Sequence, residues 1–270
     1  MNTAGNWYRS SIFAFALLIL VISLWGCTAS APEPAETMQP APAATFTAFP
    51  THDPGYERIT FTAADGTELG GTFFPAEGGV TVVFTHMGYA TQGSWREFAE
   101  RVNDLGFPAF TFDFRGYGHS FNDGMLLNSD WETRNAAYAE DTRAAIQWVR
   151  EQGYTRILCI GADMGGTACI NAALTESLEG LVVIGSEYDL ESPALSYPAD
   201  LQNPAAQKLF ITTALDEDRY IESIQQLYEV SPEPRELITL PGSAHGTGIL
   251  FTSHEEAFIT ALLDFFAFFQ

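Results

Sequence analysis

Arg156-Ile157-Leu158-Cys159-Ile160-Gly161-Ala162-Asp163-Met164-Gly165-Gly166 passes from an apolar strand-like run, through a glycine-flanked aspartate, into small residues that continue with helical spacing to Leu178. A continuous apolar run ending at Ile160 is the pattern of a strand buried on both faces. The glycines allow a sharp turn immediately after it. A polar side chain at the apex of such a strand–turn–helix projects from the carboxyl end of the strand, which is where open α/β sheets bind ligands.

The same alternation extends in both directions. Arg58 to Ala63 alternates in polarity, Ala64-Asp65-Gly66-Thr67 supplies turn residues and Glu68 to Phe74 returns, which predicts an antiparallel hairpin. Val80 to Thr85 is a β-branched run suited to a parallel sheet. Ser94-Trp95-Arg96-Glu97 reads as a capping box opening a helix, and Phe107 to Phe112 as the next strand. Trp131 to Gln152 has helical spacing (Ala136, Tyr138, Ala144, Ala145, Trp148, Val149), with Gly153 as its C-cap. Leu181 to Ile184, Leu209 to Thr213 and Leu237 to Leu240 follow as strands. Tyr220 to Val230 is a helix between the last two, and Ser253-His254-Glu255-Glu256 caps a final helix reaching Phe269. The apolar run Leu262 to Phe269 is too short to span a bilayer and is expected to pack on the sheet. Repeated βα units imply an α/β fold: a doubly wound, mainly parallel sheet with helices on both faces and the hairpin as an antiparallel edge.

Composition bounds the rest. The 270 residues, 46% hydrophobic and 13% aromatic, suffice for one substantial core. Acidic residues outnumber basic ones 34 to 12, Lys208 being the only lysine, and the net charge of −22 argues against electrostatic binding of nucleic acid or anionic lipid. Residues 1–26 read as an export signal, with Arg9 before the apolar run Ile12 to Leu24. Leu24-Trp25-Gly26-Cys27 resembles a bacterial lipobox, although Trp25 departs from the usual small residue; the resemblance implies lipidation of Cys27 and an extracytoplasmic, membrane-anchored protein. The Ala-, Pro- and Thr-rich segment after it makes residues 27–54 an extended tether, leaving residues 55–270 as the folded domain. Cys159 and Cys169 fall in apolar periodic segments and are expected as buried free thiols, without a disulfide between them.

Gly161-Ala162-Asp163-Met164-Gly165-Gly166 resembles the nucleophile elbow of the α/β hydrolases, G-x-S-x-G, with aspartate in the serine slot. The resemblance covers roughly residues 55–270. It is closest to bacterial hydrolases related to dienelactone hydrolase and to serine aminopeptidase-like proteins, whose elbow reads G-A-S-M-G-G. It implies the family's chain order of nucleophile, acid and histidine, and no cofactor or metal. Asp163 takes the first role. His245, in Leu240-Pro241-Gly242-Ser243-Ala244-His245-Gly246 after the last strand, takes the third. Asp216, ending Leu209-Phe210-Ile211-Thr212-Thr213-Ala214-Leu215-Asp216, is the acid that would orient His245, with Asp218 and Asp189 as alternatives. His86-Met87-Gly88 resembles the His-Gly oxyanion segment; amides of Gly88 or Met87, together with that of Met164, are the expected donors. Asp113-Phe114-Arg115-Gly116-Tyr117-Gly118-His119-Ser120 resembles the family's turn after the following strand, so Arg115 and His119 read as structural. His254 reads as a capping-turn residue.

Aspartate changes the chemistry expected of the elbow. Serine must lose its proton to the histidine before attacking, whereas a carboxylate needs no deprotonation and leaves the histidine to activate water. Attack on a carbon bearing halide or a strained oxygen gives a stable ester. Attack on an ester carbonyl gives an intermediate that expels the carboxylate again. The expected activity is therefore hydrolysis of a small apolar epoxide or halide through a covalent ester on Asp163. Two departures from the dehalogenases and epoxide hydrolases stand against it: Met164 replaces their tryptophan after the aspartate, and Gly185 to Gln207 offers only a loop, a minimal lid, in place of their helical cap. The alternatives are an inactive binding lipoprotein that kept the pocket, and Asp163 acting as a general base on water. The substrate pocket is expected near Met87, Tyr89, Tyr188 and Tyr197.

Overall fold

The computed structural model describes residues 55–121, 126, 129–188 and 203–270. The export signal, Cys27, the tether, Asp189, Tyr197 and most of the expected minimal lid lie outside them. Thirteen principal elements follow in chain order: β1 (Glu57–Thr62), β2 (Glu68–Phe74), β3 (Thr81–Thr85), α1 (Arg96–Asp104), β4 (Ala109–Phe112), α2 (Trp131–Glu151), β5 (Ile157–Ala162), α3 (Met164–Ala173), β6 (Gly180–Ile184), β7 (Gln207–Thr213), α4 (Asp218–Val230), β8 (Arg235–Leu240) and α5 (Glu255–Phe266). The eight strands form one sheet in the order β1-β2-β4-β3-β5-β6-β7-β8. β1 and β2 pair antiparallel, as do β2 and β4; every later pairing is parallel.

Alternate residues of the central strands supply opposite faces of the sheet. Val82 and Phe84 of β3, with Leu158 and Ile160 of β5, pack under Phe98 and Val102 of α1 and Phe258 and Leu262 of α5. Val83 and Cys159 face the other way, toward Ile146 and Val149 of α2, Ile170 of α3 and Leu227 of α4. The apolar tail of the chain thus packs on the sheet as expected, and each large side chain so buried is worth ~1.5–3 kcal/mol. Among the described residues no helix is long and apolar enough to cross a membrane.

Chain order places the site. From β3 the chain steps outward to β4, then returns through α2 to β5 on the opposite side of β3. The strand order reverses there, so the loops leaving the carboxyl ends of β3 and β5 diverge and open a crevice between them. The loop after β4 is held down from within: buried Asp113 accepts hydrogen bonds from the Gln92 amide (2.8 Å), Gln92 Nε2 (2.8 Å) and the His119 amide (2.9 Å). Arg115 donates to Asp141 of α2 through Nε (2.8 Å) and Nη2 (2.6 Å), which ties the same loop to the helix that follows it.

Three local expectations are corrected. Cys159 and Cys169 form a disulfide, with Cα atoms 5.8 Å apart. The elbow folds α3 back along β5, so two residues that periodicity shows only as buried are brought face to face. Ser94 caps no helix: Thr91 caps a 3-10 turn, Gln92–Trp95, and α1 starts at Arg96 without a side-chain cap. Trp95 explains the shift, since its ring is buried and its Nε1 donates to the Thr85 carbonyl (2.9 Å), drawing the turn onto the end of β3. Ser253 does not cap α5 either; His254 occupies the N-cap position without a side-chain bond, and Thr252 Oγ1 accepts from the His254 amide (3.1 Å).

Candidate active site

Asp163 lies between β5 and α3 with φ 52° and ψ −124°, a left-handed conformation that a non-glycine residue adopts only when its surroundings enforce it. The enforcement is visible on both sides. The Asp163 amide donates to the Ile184 carbonyl (2.9 Å), and its own carbonyl accepts from the Gly166 amide (3.0 Å). A Cβ on Gly165 would stand 2.6 Å from the carbonyl oxygens of Thr85 and His86, so only glycine lets α3 start this close to β3. The strained turn aims the carboxylate away from the sheet.

Its two oxygens have different environments. Oδ2 accepts a hydrogen bond from the Gly88 amide (2.9 Å). Oδ1 faces His245, whose Nε2 is 3.7 Å away, a charge contact longer than a hydrogen bond. The other imidazole nitrogen, Nδ1, is 2.9 Å from Asp216 Oδ2. Asp216 Oδ1 in turn accepts from the Glu217 amide (2.8 Å), which leaves the acid nearly buried and oriented. Burial opposes charge on His245, but the carboxylates of Asp163 and Asp216 outweigh it and push its pKa up to about 9. At neutral pH the group is a carboxylate–imidazolium–carboxylate array.

The structure thus brings Asp163, Asp216 and His245 together from three strand ends. Asp218 is exposed in the first turn of α4, away from His245, and Asp189 lies outside the described residues. Of the two amides offered by the loop after β3, the one bonded to Asp163 is that of Gly88; the Met87 side chain packs beside Gly246. Met164 opens α3, and its sulfur accepts from Tyr117 Oη (3.8 Å). Asp163 and Met164 border a cavity of about 420 Å³ together with Tyr89, Tyr117, Tyr138 and Tyr220. Trp131, Arg134, Glu187 and Arg219 complete much of its wall. Tyr89 is fully exposed and itself left-handed (φ 58°). Tyr188 is buried in the core beside α4, its amide bonded to Ser223 Oγ (2.8 Å), and it does not line the cavity as expected.

Two further contributors take their roles from the fold: Tyr220, which no motif marks, and His86, which the His86-Met87-Gly88 motif contains without showing what it bonds. Tyr220 stacks on His245, with ring centroids 4.0 Å apart and planes inclined by 37°, and its hydroxyl accepts from Arg219 Nη2 (2.8 Å). Burial, then the negative charge of Asp163, pushes the Tyr220 phenol up to about 12. Its sequence signal, an aromatic four residues after Asp216, is too common to single out. His86 is buried and lowered in pKa by that burial; its Nδ1 is 2.9 Å from the Met87 carbonyl, and its Nε2 accepts from the Phe114 amide (3.1 Å). The neutral ring therefore fixes the Gly88 loop to the loop after β4.

With this geometry established, three comparisons bear on it. Residues 80–236 match the model of a family described as having the alpha/beta hydrolase fold. The uncharacterized protein YfhR of Escherichia coli is 23% identical over 241 residues, spanning 77% of this chain and 80% of that protein. An uncharacterized protein of Mycobacterium tuberculosis is 25% identical over 214 residues, spanning 71% and 73% of the two chains. Among solved structures, an esterase from Pyrococcus furiosus is similar with a TM-score of 0.62 at 19% identity, over 79% of this chain and 92% of the esterase. A predicted CIB-like hydrolase from Thermoplasma acidophilum gives 0.62 at 18% identity, over 78% and 97%. At such identities the structural likeness speaks for the fold.

Proposed function

This chain belongs to the α/β-hydrolase family, and from that premise we propose that it is a hydrolase of small apolar molecules acting through a covalent ester on Asp163, with carbon–halogen bonds or epoxides as targets. One observation carries the reading: Asp163 Oδ2 occupies the Gly88 amide, while Oδ1, next to the cavity, takes no hydrogen bond among the described residues. An ester substrate would need that amide for its own carbonyl oxygen, and the elbow carboxylate already holds it. Attack at an alkyl carbon needs no such donor in the first step. In the second step the Asp163 ester carbonyl is itself the group attacked, and the Gly88 amide is in place to stabilise the oxyanion that forms there.

The charge state of His245 sets the order of proton transfers. In the first step Asp163 Oδ1 bonds to carbon and the carbon–oxygen or carbon–halogen bond breaks. The departing oxygen or halide leaves with the electron pair and, where it is basic, takes the proton from the His245 imidazolium. A halide departs unprotonated, and the imidazolium then releases its proton to solvent, because esterification has removed the negative charge of Asp163 that helped to hold it; on either route the neutral ring now takes a proton from water. The hydroxide adds to Cγ of Asp163, the alcohol leaves, and the array returns to its starting charges. Asp216 holds His245 in orientation throughout, and Tyr220 covers one face of the ring.

The deciding experiment is intact-mass analysis of His245→Gln incubated with small alkyl bromides, whose leaving group needs no proton, and with epoxides. A stable adduct on Asp163 is expected, and Asp163→Asn in the same background should show none. A folded variant that gains no mass with any of them would replace this reading with that of a binding protein that retains the pocket. We further propose export and lipid anchoring at Cys27, which lies outside the described residues; the Cys159–Cys169 disulfide supports an oxidising compartment.

A further inference from the structure

We propose that Arg134 binds a carboxylate carried by the substrate, so that the molecule processed is a small acid with a flat apolar body. This narrows the substrate class of the site described above and rests on the same cavity. Arg134 is the fourth residue of α2 and part of the wall that also contains Asp163. Its Nε is buried and has no hydrogen-bond partner, and among the described residues no carboxylate lies within ion-pair distance of its guanidinium.

The neighbouring acids are committed elsewhere. Asp130 Oδ1 accepts from the Thr133 amide (2.7 Å), capping α2, and the Asp130 carboxylate attracts Arg134 only from beyond ion-pair distance. Glu187, in the same wall, is 2.9 Å from Arg219, and Asp163 faces the His245 imidazolium. A guanidinium partly withdrawn from water without a hydrogen-bond acceptor is costly, and among the described residues no carboxylate of this acidic chain closes on it. An acceptor that arrives with the ligand resolves both points. The planar guanidinium fork matches a carboxylate with two parallel hydrogen bonds. The rings of Trp131, Tyr117 and Tyr138 in the same cavity suit a flat apolar body attached to it. Fixing one end of the molecule at Arg134 would orient its reactive carbon relative to Asp163, which is how remote binding contributes to rate.

Calorimetric binding of phenylacetate and of its uncharged isostere phenylacetamide to the full-length protein tests this without requiring turnover. Phenylacetate is expected to bind at least ~10-fold more tightly than the amide, as for a hydrogen-bonded charge pair. Arg134→Gln should reduce that preference to within about two-fold while leaving phenylacetamide affinity unchanged, and Arg134→Lys should keep part of it. Asp163→Asn should retain the preference in full. Equal affinity for the two probes in the unmodified protein, no binding of phenylacetate, or a preference that survives Arg134→Gln would overturn the proposal. A carboxylate preference lost in Arg134→Gln, combined with no adduct on Asp163, would overturn the covalent reading and leave this one standing.

Discussion

Replacing Asp163 with asparagine removes one of the two charges that hold His245 protonated, and the loss can be worked out from the distance. His245 Nε2 is 3.7 Å from Asp163 Oδ1. Coulomb's law at that separation gives ~1 kcal/mol in a water-like dielectric and ~4 kcal/mol at an effective dielectric of about 20. With the His245 side chain 22% exposed, the pair lies between those limits. The protonation equilibrium should therefore shift by roughly five-fold to a thousand-fold toward the neutral ring. The midpoint should fall from about 9 by roughly one to three pH units, with Asp216 still at 2.9 Å. NMR titration of the His245 ring in the native protein and in Asp163→Asn reads this directly. Folding stability gives a second readout. The folded pKa, about 9, lies above the unfolded value of 6.5, so this contribution is fully present below pH 6.5 and is lost as pH rises through about 9. It amounts to ~3 kcal/mol at most. Urea midpoints of the native protein should fall across that window, and those of Asp163→Asn should fall much less. An unshifted His245 midpoint in the variant, or a native His245 titrating near 6.5, would refute the charge array and with it the proposed order of proton transfers.

Gly88→Ala tests the shared amide: the added Cβ would come 3.0 Å from Asp163 Oδ2, displacing the carboxylate from the Gly88 N–H. Breakdown of the ester should slow by about 100-fold, with unfolding midpoints little changed, as measured by accumulation of the mass adduct during turnover. Cys159→Ala/Cys169→Ala removes a cross-link between residues ten apart in sequence and should cost ~2.5 kcal/mol in urea unfolding. Equal stability with and without reductant in the native protein would show that the bond contributes nothing.

Much of this protein is legible without coordinates because the signals are local. The β-branched run Val80 to Thr85 and the apolar run Ile157 to Ile160, each followed by a glycine-bearing turn and a helix, repeat the pattern that predicts a parallel α/β sheet. Asp163, Asp216 and His245 stand out at the ends of such strands through the resemblance of their motifs to those of the α/β hydrolases, which leaves Asp218 and Asp189 as alternatives for the acid. The short-range misreadings share a cause. Ser94 and Ser253 have the right neighbours for capping boxes, but burial of Trp95 and the 3-10 turns preceding α1 and α5 set where those helices begin. Cys159 and Cys169 show only apolar surroundings in sequence; the fold-back at the elbow makes them a pair. By itself, then, the sequence determined the architecture and the residue types offered at each strand end. Only the tertiary structure decided that Asp163 takes the Gly88 amide, that His245 is held charged with Tyr220 stacked on it, and that the buried Arg134 Nε finds no hydrogen-bond partner among the described residues. The physical reason is range: periodicity and turn chemistry act within a few residues, whereas hydrogen bonds, charge balance and desolvation depend on distances between residues tens of positions apart.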